Sequence, residues 1–326
     1  MAWPRVKHRP PSAQRAPRAR RGNPAIAAAL LGAVALLAPA SAAAFCRSTT
    51  CTGDGCPRDA DDCKTTGAPL WWASMCVGFS LQRDGSINLP YAEIERVAEA
   101  SFVEWSDVQC PTGPATLAFS RLADVTCRKA EYNPDGANAN IVLFQDNKWN
   151  YTGEFNTLAK TTVTYDNNTG EIFDADIELN QAFNEFTTGD TNVVYDLQSI
   201  LTHEIGHFFG LDHSPDLNAT MTPGYDQGST QLRTIEADDI AGVCAIYPPE
   251  RQAQCAPTPR GGLGDLCAFE QQVKEGGGCS CRLGGLSLPG SPGSWGGAWL
   301  WALGLGAGAA RRTRRRNERQ AWQALG

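Results

Sequence analysis

After Pro90, apolar residues fall at Ile94, Val97, Ala98, Phe102 and Trp105, while Glu93, Glu95, Arg96 and Glu99 fill the positions between them. Spacings of three and four put the apolar set on one stripe, so a helix with one face on a core is expected. Two apolar runs of strand length follow, Thr116–Phe119 and Asn140–Phe144. Thr161–Tyr165 and Glu171–Leu179 flank Asn167-Asn168-Thr169-Gly170, and this pairing of runs around turn residues predicts a hairpin. A second helical stripe passes through Val194, Leu197, Leu201, Ile205 and Phe208. A third helix is expected from about Thr234 as N-cap, with Glu236 and Asp238 in its first turn, where the helix dipole favours acids. Ile240, Val243 and Tyr247 give it an apolar face, and Pro248-Pro249 stops it. Regular structure begins near Trp71, and no internal repeat is present.

Composition changes the picture mainly at the ends. Of 326 residues, 42% are hydrophobic and 19% charged, enough to bury a core and too polar for a polytopic membrane protein. Residues 1–44 form a unit of their own. Arg15, Arg18, Arg20 and Arg21 precede an apolar run from Ala25 to Leu37, and Ala42 and Ala44 make an Ala-x-Ala site, so a secretory signal cleaved before Phe45 is expected. Residues 283–310 carry no charge and are followed by Arg311, Arg312, Arg314, Arg315 and Arg316. A 17-residue span from Ser294 to Ala310 would cover about 25 Å as a helix, short for a bilayer, with the arginines holding its end in the cytoplasm. Between these ends the chain holds 15 basic and 34 acidic residues. A body that acidic repels phosphate, and nucleic acid is excluded as a partner.

Twelve cysteines add a compartment. Ten lie in the body, at 46, 51, 56, 63, 76, 110, 127, 244, 255 and 267, and an even number behind a signal peptide indicates disulfides in an oxidising space. Spacing leaves the connectivity open, with Cys110 and Cys127 bracketing a local loop that one bond would close. None falls between residues 128 and 243, so that stretch is held by packing or by something other than sulfur. The domain plan expected is a Cys-rich N-terminal segment over 45–69, a main domain over 70–249, a Cys/Gly-rich stalk over 250–282, and the span with its basic tail over 283–326.

The chemistry concentrates in His203-Glu204-Ile205-Gly206-His207-Phe208-Phe209-Gly210-Leu211-Asp212-His213. Histidines four apart share a helix face, so His203 and His207 can reach one ion. Glu204 stands beside them, placed to take a proton from water activated at the metal. Gly210 comes where the helix must end and can adopt the left-handed conformation that turns the chain, bringing His213 round as a third nitrogen ligand. Three protein ligands with an open position describe a catalytic zinc rather than a structural one. The chain has four histidines; the fourth, His8, lies in the signal. With so few, chance assembly of this spacing is on the order of a few in a million. Asp166, Asp174 and Asp176 raise calcium (Ca2+) as a second metal, but Gly170 sits one place early for an EF-hand loop and no Glu closes it. A turn with a solvated strand is the preferred reading there.

This motif resembles that of the metzincin zinc peptidases, and Ser214 after the third histidine resembles the matrixin branch, which contains the matrix metalloproteinases. Met221, in Ala219-Thr220-Met221-Thr222-Pro223, is similar to that family's Met-turn, and Asp238-Asp239-Ile240 with Ala245-Ile246-Tyr247 to its C-terminal helix. The resemblance implies an α+β fold, a twisted mixed β-sheet with a long active-site helix and a C-terminal helix after the Met-turn. It further implies a secreted zinc metalloendopeptidase in which His203, His207 and His213 bind Zn2+ and Glu204 is the general base. A polypeptide substrate would lie along an edge strand within Glu171–Asn180, and Pro223 and Tyr225 would border the pocket for the residue after the cut. Two departures stand out. No histidine remains for the family's second, structural zinc, so one Zn2+ is expected; separately, the protein is expected to be a monomer. The Pro-Arg-Cys-Gly propeptide latch is absent, and Cys56-Pro57-Arg58-Asp59 is only a loose echo, better read as a disulfide cysteine. The C-terminal arrangement of Cys motif, short span and arginines resembles the MYXO-CTERM sorting tag of myxobacterial surface proteins, implying retention at the cell surface or membrane. A permanent single-pass anchor is the alternative for the tail. For the body the alternatives are a binding protein that keeps the zinc fold without turnover and a zinc hydrolase of non-peptide bonds.

Overall fold

The computed structural model describes residues 44–153, 156–268, 270 and 271, with the backbone of Ala324–Leu325. The signal segment, apart from Ala44, and the sorting-tag region over 283–326, apart from that backbone, lie outside the described residues. No helix among the described residues is long and apolar enough to cross a membrane.

The strands are β1 (Trp71–Trp72), β2 (Cys76–Leu81), β3 (Gln109–Cys110), β4 (Gly113–Pro114), β5 (Ala118–Arg121), β6 (Ile141–Phe144), β7 (Ala159–Tyr165), β8 (Glu171–Leu179), β9 (Phe186–Thr187), β10 (Tyr195–Asp196) and β11 (Ala324–Leu325). Three helices accompany them, α1 (Tyr91–Ser106), α2 (Leu197–Phe208) and α3 (Ala237–Ile246), with a 3-10 turn at Gln231–Arg233. The main sheet runs β11-β7-β8-β6-β2-β5, and β1 pairs with the start of β8. Its β1–β8, β6–β8, β2–β6 and β2–β5 pairs are parallel, whereas β7–β8 is the expected antiparallel hairpin. The sheet is therefore mixed.

One face of the sheet carries the core. Ala175, Ile177 and Leu179 of β8 are fully buried, as are Leu197, Leu201 and Ile205 of α2 and Val97, Phe102 and Trp105 of α1. Aromatics bind these layers together. Phe79 stacks on Phe102 at 3.9 Å, Phe102 meets Phe208 edge-on at 5.5 Å, and the Trp105 indole donates to Thr202 O at 2.8 Å. Trp72 Nε1 and Tyr247 Oη donate to the carbonyls of Phe208 and Phe209, both at 2.8 Å. The end of α2 is thus anchored from two sides, which keeps the helix that carries His203 and His207 from fraying.

Several expectations are corrected. The segment around Asp174 is no solvated strand: β8 lies inside the sheet, and Asp174, Asp176 and Glu178 line its far face at 1%, 1% and 2% exposure. They are covered by the chain around Glu131, whose backbone N–H donates to Asp176 Oδ2 at 2.9 Å. Asp166 meanwhile sits in the hairpin turn accepting from Asn168 and Thr169, so the three aspartates do not gather around one calcium. Val194 precedes α2 rather than joining it, because Asp196 caps the helix by accepting from Ser199 N at 2.9 Å. The third helix starts two residues later than expected: Glu236 is the N-cap, in a capping box with Asp239, and Thr234 is extended. A reciprocal side-chain pair at N-cap and N3 outcompetes a lone threonine.

Five disulfides pair all ten body cysteines, Cys46–Cys63, Cys51–Cys56, Cys76–Cys255, Cys110–Cys244 and Cys127–Cys267. Cys110 and Cys127 do not join each other; each reaches across the fold, over 134 and 140 residues. The two bonds at Cys255 and Cys267 also bring the region beyond Pro249 back onto the body. Over its described part this region does not project as a stalk, since Met75 N donates to Gln254 O and Thr126 N to Asp265 O.

Candidate metal centre

Helix α2 brings His203 and His207 to one face, and the turn after it delivers His213. Gly210 has φ +96°, and a Cβ there would stand 2.7 Å from Leu70 O, so both conformation and space require glycine. The three rings gather with centroids 5.0, 5.2 and 4.8 Å apart, and one nitrogen of each lies within 4.8 Å of the others. Two rings are oriented from behind. His203 Nδ1 donates to Thr220 O at 2.7 Å and His207 Nδ1 to Leu211 O at 2.9 Å, since a carbonyl can only accept. Their Nε2 lone pairs then point into the shared space, where His207 Nε2 stands 3.3 Å from His213 Nε2.

Electrostatics fits a cation. Burial pushes all three imidazoles below their ordinary value, His207 well below, so they are neutral and able to ligate. Three neutral nitrogens this close, with the outer nitrogens of His203 and His207 fixed on carbonyls, form a donor set suited to zinc. Glu204 is 8% exposed on the same helix. Its carboxyl is pushed up by burial, an effect opposed by His203 and by the hydroxyl of Thr161. Thr161 Oγ1 donates to Glu204 Oε2 at 2.6 Å. The strand pattern placed Thr161 in a hairpin but did not reveal this contact.

Beneath the histidines lies Met221, 2% exposed. A Cβ on Gly206 would stand 2.1 Å from Met221 Sδ and 2.9 Å from Trp105, so glycine at this helical position admits the methionine. Asp239 holds the Met221 turn, accepting from Thr220 N at 2.8 Å and Met221 N at 3.1 Å. Its neighbour Asp238 accepts from Ser214 Oγ at 2.6 Å, fixing the residue after the third histidine. The start of α3 therefore clamps the floor of the site.

The histidines and Glu204 open onto a cleft of about 370 Å³. Pro223 and Tyr225 line it, as do Leu158, Ala159 and Lys160 at the beginning of β7. The strand bordering the cleft is β7. The expectation of an edge strand within Glu171–Asn180 is thus overturned, because β8 is flanked by β7 on one side and by β1 and β6 on the other. Tyr225 Oη accepts from Asp196 N at 2.9 Å and donates to Ser229 O, tying the loop to the cap of α2. Asp196 also receives both Arg233 Nε at 2.8 Å and Nη2 at 2.6 Å, contacts that hold this wall. Cys56 is bonded to Cys51, which leaves it no thiol to offer a metal. A second grouping, Cys127, Glu131 and Cys267, is likewise spent, its cysteines being bonded to each other.

Comparison with known proteins agrees with this geometry. Residues 71–248 match the family described as Matrixin. Among curated relatives, the chain is 26% identical over 204 residues to matrix metalloproteinase-C of Caenorhabditis elegans, covering 57% of this chain and 31% of that one. It is 30% identical over 169 residues to human neutrophil collagenase, covering 51% and 31%. With metalloendoproteinase 1-MMP of Arabidopsis thaliana the identity is 36% over 88 residues, covering 27% and 22%. The chain thus spans under a third of the length of these relatives.

Proposed function

Because the chain belongs to the matrixin family of peptidases, we propose that it is a zinc metalloendopeptidase that cleaves polypeptides outside the cytoplasm. The observation that carries this reading is the convergence of three neutral imidazoles, two of them back-bonded to carbonyls, and a buried carboxylate on one cleft. His203, His207 and His213 would hold Zn2+, whose charge acidifies water and polarises a carbonyl. Glu204 takes a proton at Oε1 or Oε2 and later returns it to the leaving amine. Thr161 keeps that carboxylate turned toward the histidines. An extended substrate would lie along the start of β7, meeting the backbone of Leu158–Lys160, with the side chain after the cut entering between Tyr195 and the Pro223–Tyr225 wall. Five disulfides suit an exported protein. Retention at the surface through the C-terminal tag remains part of this proposal, and an intact arginine tail in the mass spectrum of surface-released protein would count against it.

The test is hydrolysis of an unfolded protein by the full chain beside Glu204→Gln. The parent is expected to cleave. The variant should bind one equivalent of zinc and lose activity by at least 100-fold. Equal cleavage by both would remove Glu204 from the chemistry, and no cleavage by a zinc-loaded parent would favour the binding-protein alternative.

A further inference from the structure

The third histidine sits outside α2, on a loop held largely by the start of the described chain. After Gly210 turns the backbone, Leu211 forms an antiparallel bridge with Arg47. Ser48 N donates to Gly210 O at 3.0 Å, Ser48 Oγ to Leu211 O at 2.8 Å, and Asp212 N to Cys46 O at 3.0 Å. Asp212 then acts at two points. Its Oδ1 accepts the backbone N–H of His213 at 2.9 Å, and its Oδ2 lies 3.1 Å from Lys64 Nζ. Both side chains are largely buried, at 9% exposure for Lys64 and 15% for Asp212. Oδ2 receives no aligned hydrogen bond, so the nearby ammonium charge is what balances that oxygen. Lys64 directly follows Cys63, which is bonded to Cys46. One disulfide therefore joins the segment that flanks Leu211–Asp212 to the residue carrying the counter-charge.

A removable latch would occupy the cleft or offer a ligand. No residue of the 45–69 segment lines the cleft, and the cysteine in the Cys56-Pro57-Arg58 run is bonded to Cys51. We infer that Lys64 is a positioning residue for His213, acting through Asp212, and that the disulfide-bonded segment 45–69 is a permanent clamp completing the metal triad. His203 and His207 are fixed by carbonyls of the domain itself, whereas the backbone of His213 is fixed through Asp212. With the ion pair removed, a buried carboxylate lacks its balancing charge and the loop that orients the third ligand loosens.

The inference rests on reading the three histidines as zinc ligands, and the experiment separates the two. The full, oxidised chain and its Lys64→Met, Lys64→Arg, Asp212→Asn and Lys64→Met/Asp212→Asn variants are titrated with zinc against a chromophoric chelator. Near-UV circular dichroism of the metal-free proteins reports folding. Lys64→Met is expected to bind zinc about 10- to 100-fold more weakly, with kcat reduced and KM little changed. Lys64→Arg should stay within about threefold of the parent, since it keeps the charge. If the two side chains act as one unit, the double variant is no worse than the weaker single. Zinc affinity within twofold of the parent in folded Lys64→Met, or losses that simply add in the double variant, overturns the inference. Should Lys64→Met fail to fold, Asp212→Asn alone carries the test, and parent-like zinc affinity there overturns it. A parent that binds no zinc overturns the ligand assignment itself.

Discussion

Thr161 shows how one hydroxyl can hold the carboxylate proposed as the general base. It is fully buried, and its hydroxyl lies 2.6 Å from Glu204 Oε2 and 3.1 Å from Glu204 O. A valine there keeps the shape and removes the donor, leaving a buried carboxylate less restrained. Thr161→Val is expected to lower kcat about tenfold with KM within about twofold, and Thr161→Ser to restore most of the loss. An unchanged kcat in Thr161→Val would show that the helix alone orients Glu204. Gly206 lies at the same scale. The spacing of the motif requires a residue there but does not say which, and only the approach of Met221 Sδ shows why it has no side chain.

At the scale of elements, β8 joins two environments. One face packs Ala175, Ile177 and Leu179 into the core, while the other stacks Asp174, Asp176 and Glu178 where water does not reach. Burial raises Asp174 and Asp176 well above the ordinary carboxyl value of 3.8; the charges of Asp174 and Glu178 push Asp176 further up, while at Asp174 a hydrogen bond with Asp176 opposes the rise, so the protonated form is favoured in the folded pair. The sign follows from linkage. A group whose folded value is raised binds a proton in the folded state that the unfolded chain has already released, so its contribution is lost as pH rises through the raised value. Asp174→Asn supplies the uncharged partner permanently. Its melting temperature should therefore gain on the parent progressively as pH is raised above the ordinary carboxyl value of 3.8. Parallel curves for the two proteins would mean that the pair is compensated in some other way. Glu178 differs from its neighbours in having Gln145 Nε2 at 2.6 Å and the Tyr151 hydroxyl as donors.

Across the whole molecule, disulfides do what the central segment cannot. Cys110–Cys244 ties the short strand after α1 to α3, and α3 in turn holds the Met221 turn through Asp239. Closing a loop of 134 residues removes much of the unfolded chain's freedom. Replacing both cysteines by serine is expected to cost about 2–5 kcal/mol in urea unfolding and to lower the midpoint for zinc loss in the same titration. An unchanged urea midpoint would show that packing alone sets the position of α3.

The sequence by itself determined what depends on spacing within one element. The stripe after Pro90, the turn at Asn167–Gly170, the shared face of His203 and His207 and the break at Gly210 are all read within a few residues, because helical and strand periods are local properties. The grouping of the three histidines with Glu204 was legible for the same reason. Tertiary structure decided which strand borders the cleft, because alternation says which residues share a face and not which strand lies beside which. It also decided the cysteine partners, the contact of Thr161 with Glu204 across 43 residues, and the pairing of Lys64 with Asp212. These join positions far apart in the chain, and only the packing of α2 against the sheet and of residues 45–69 against the His213 loop brings them within reach.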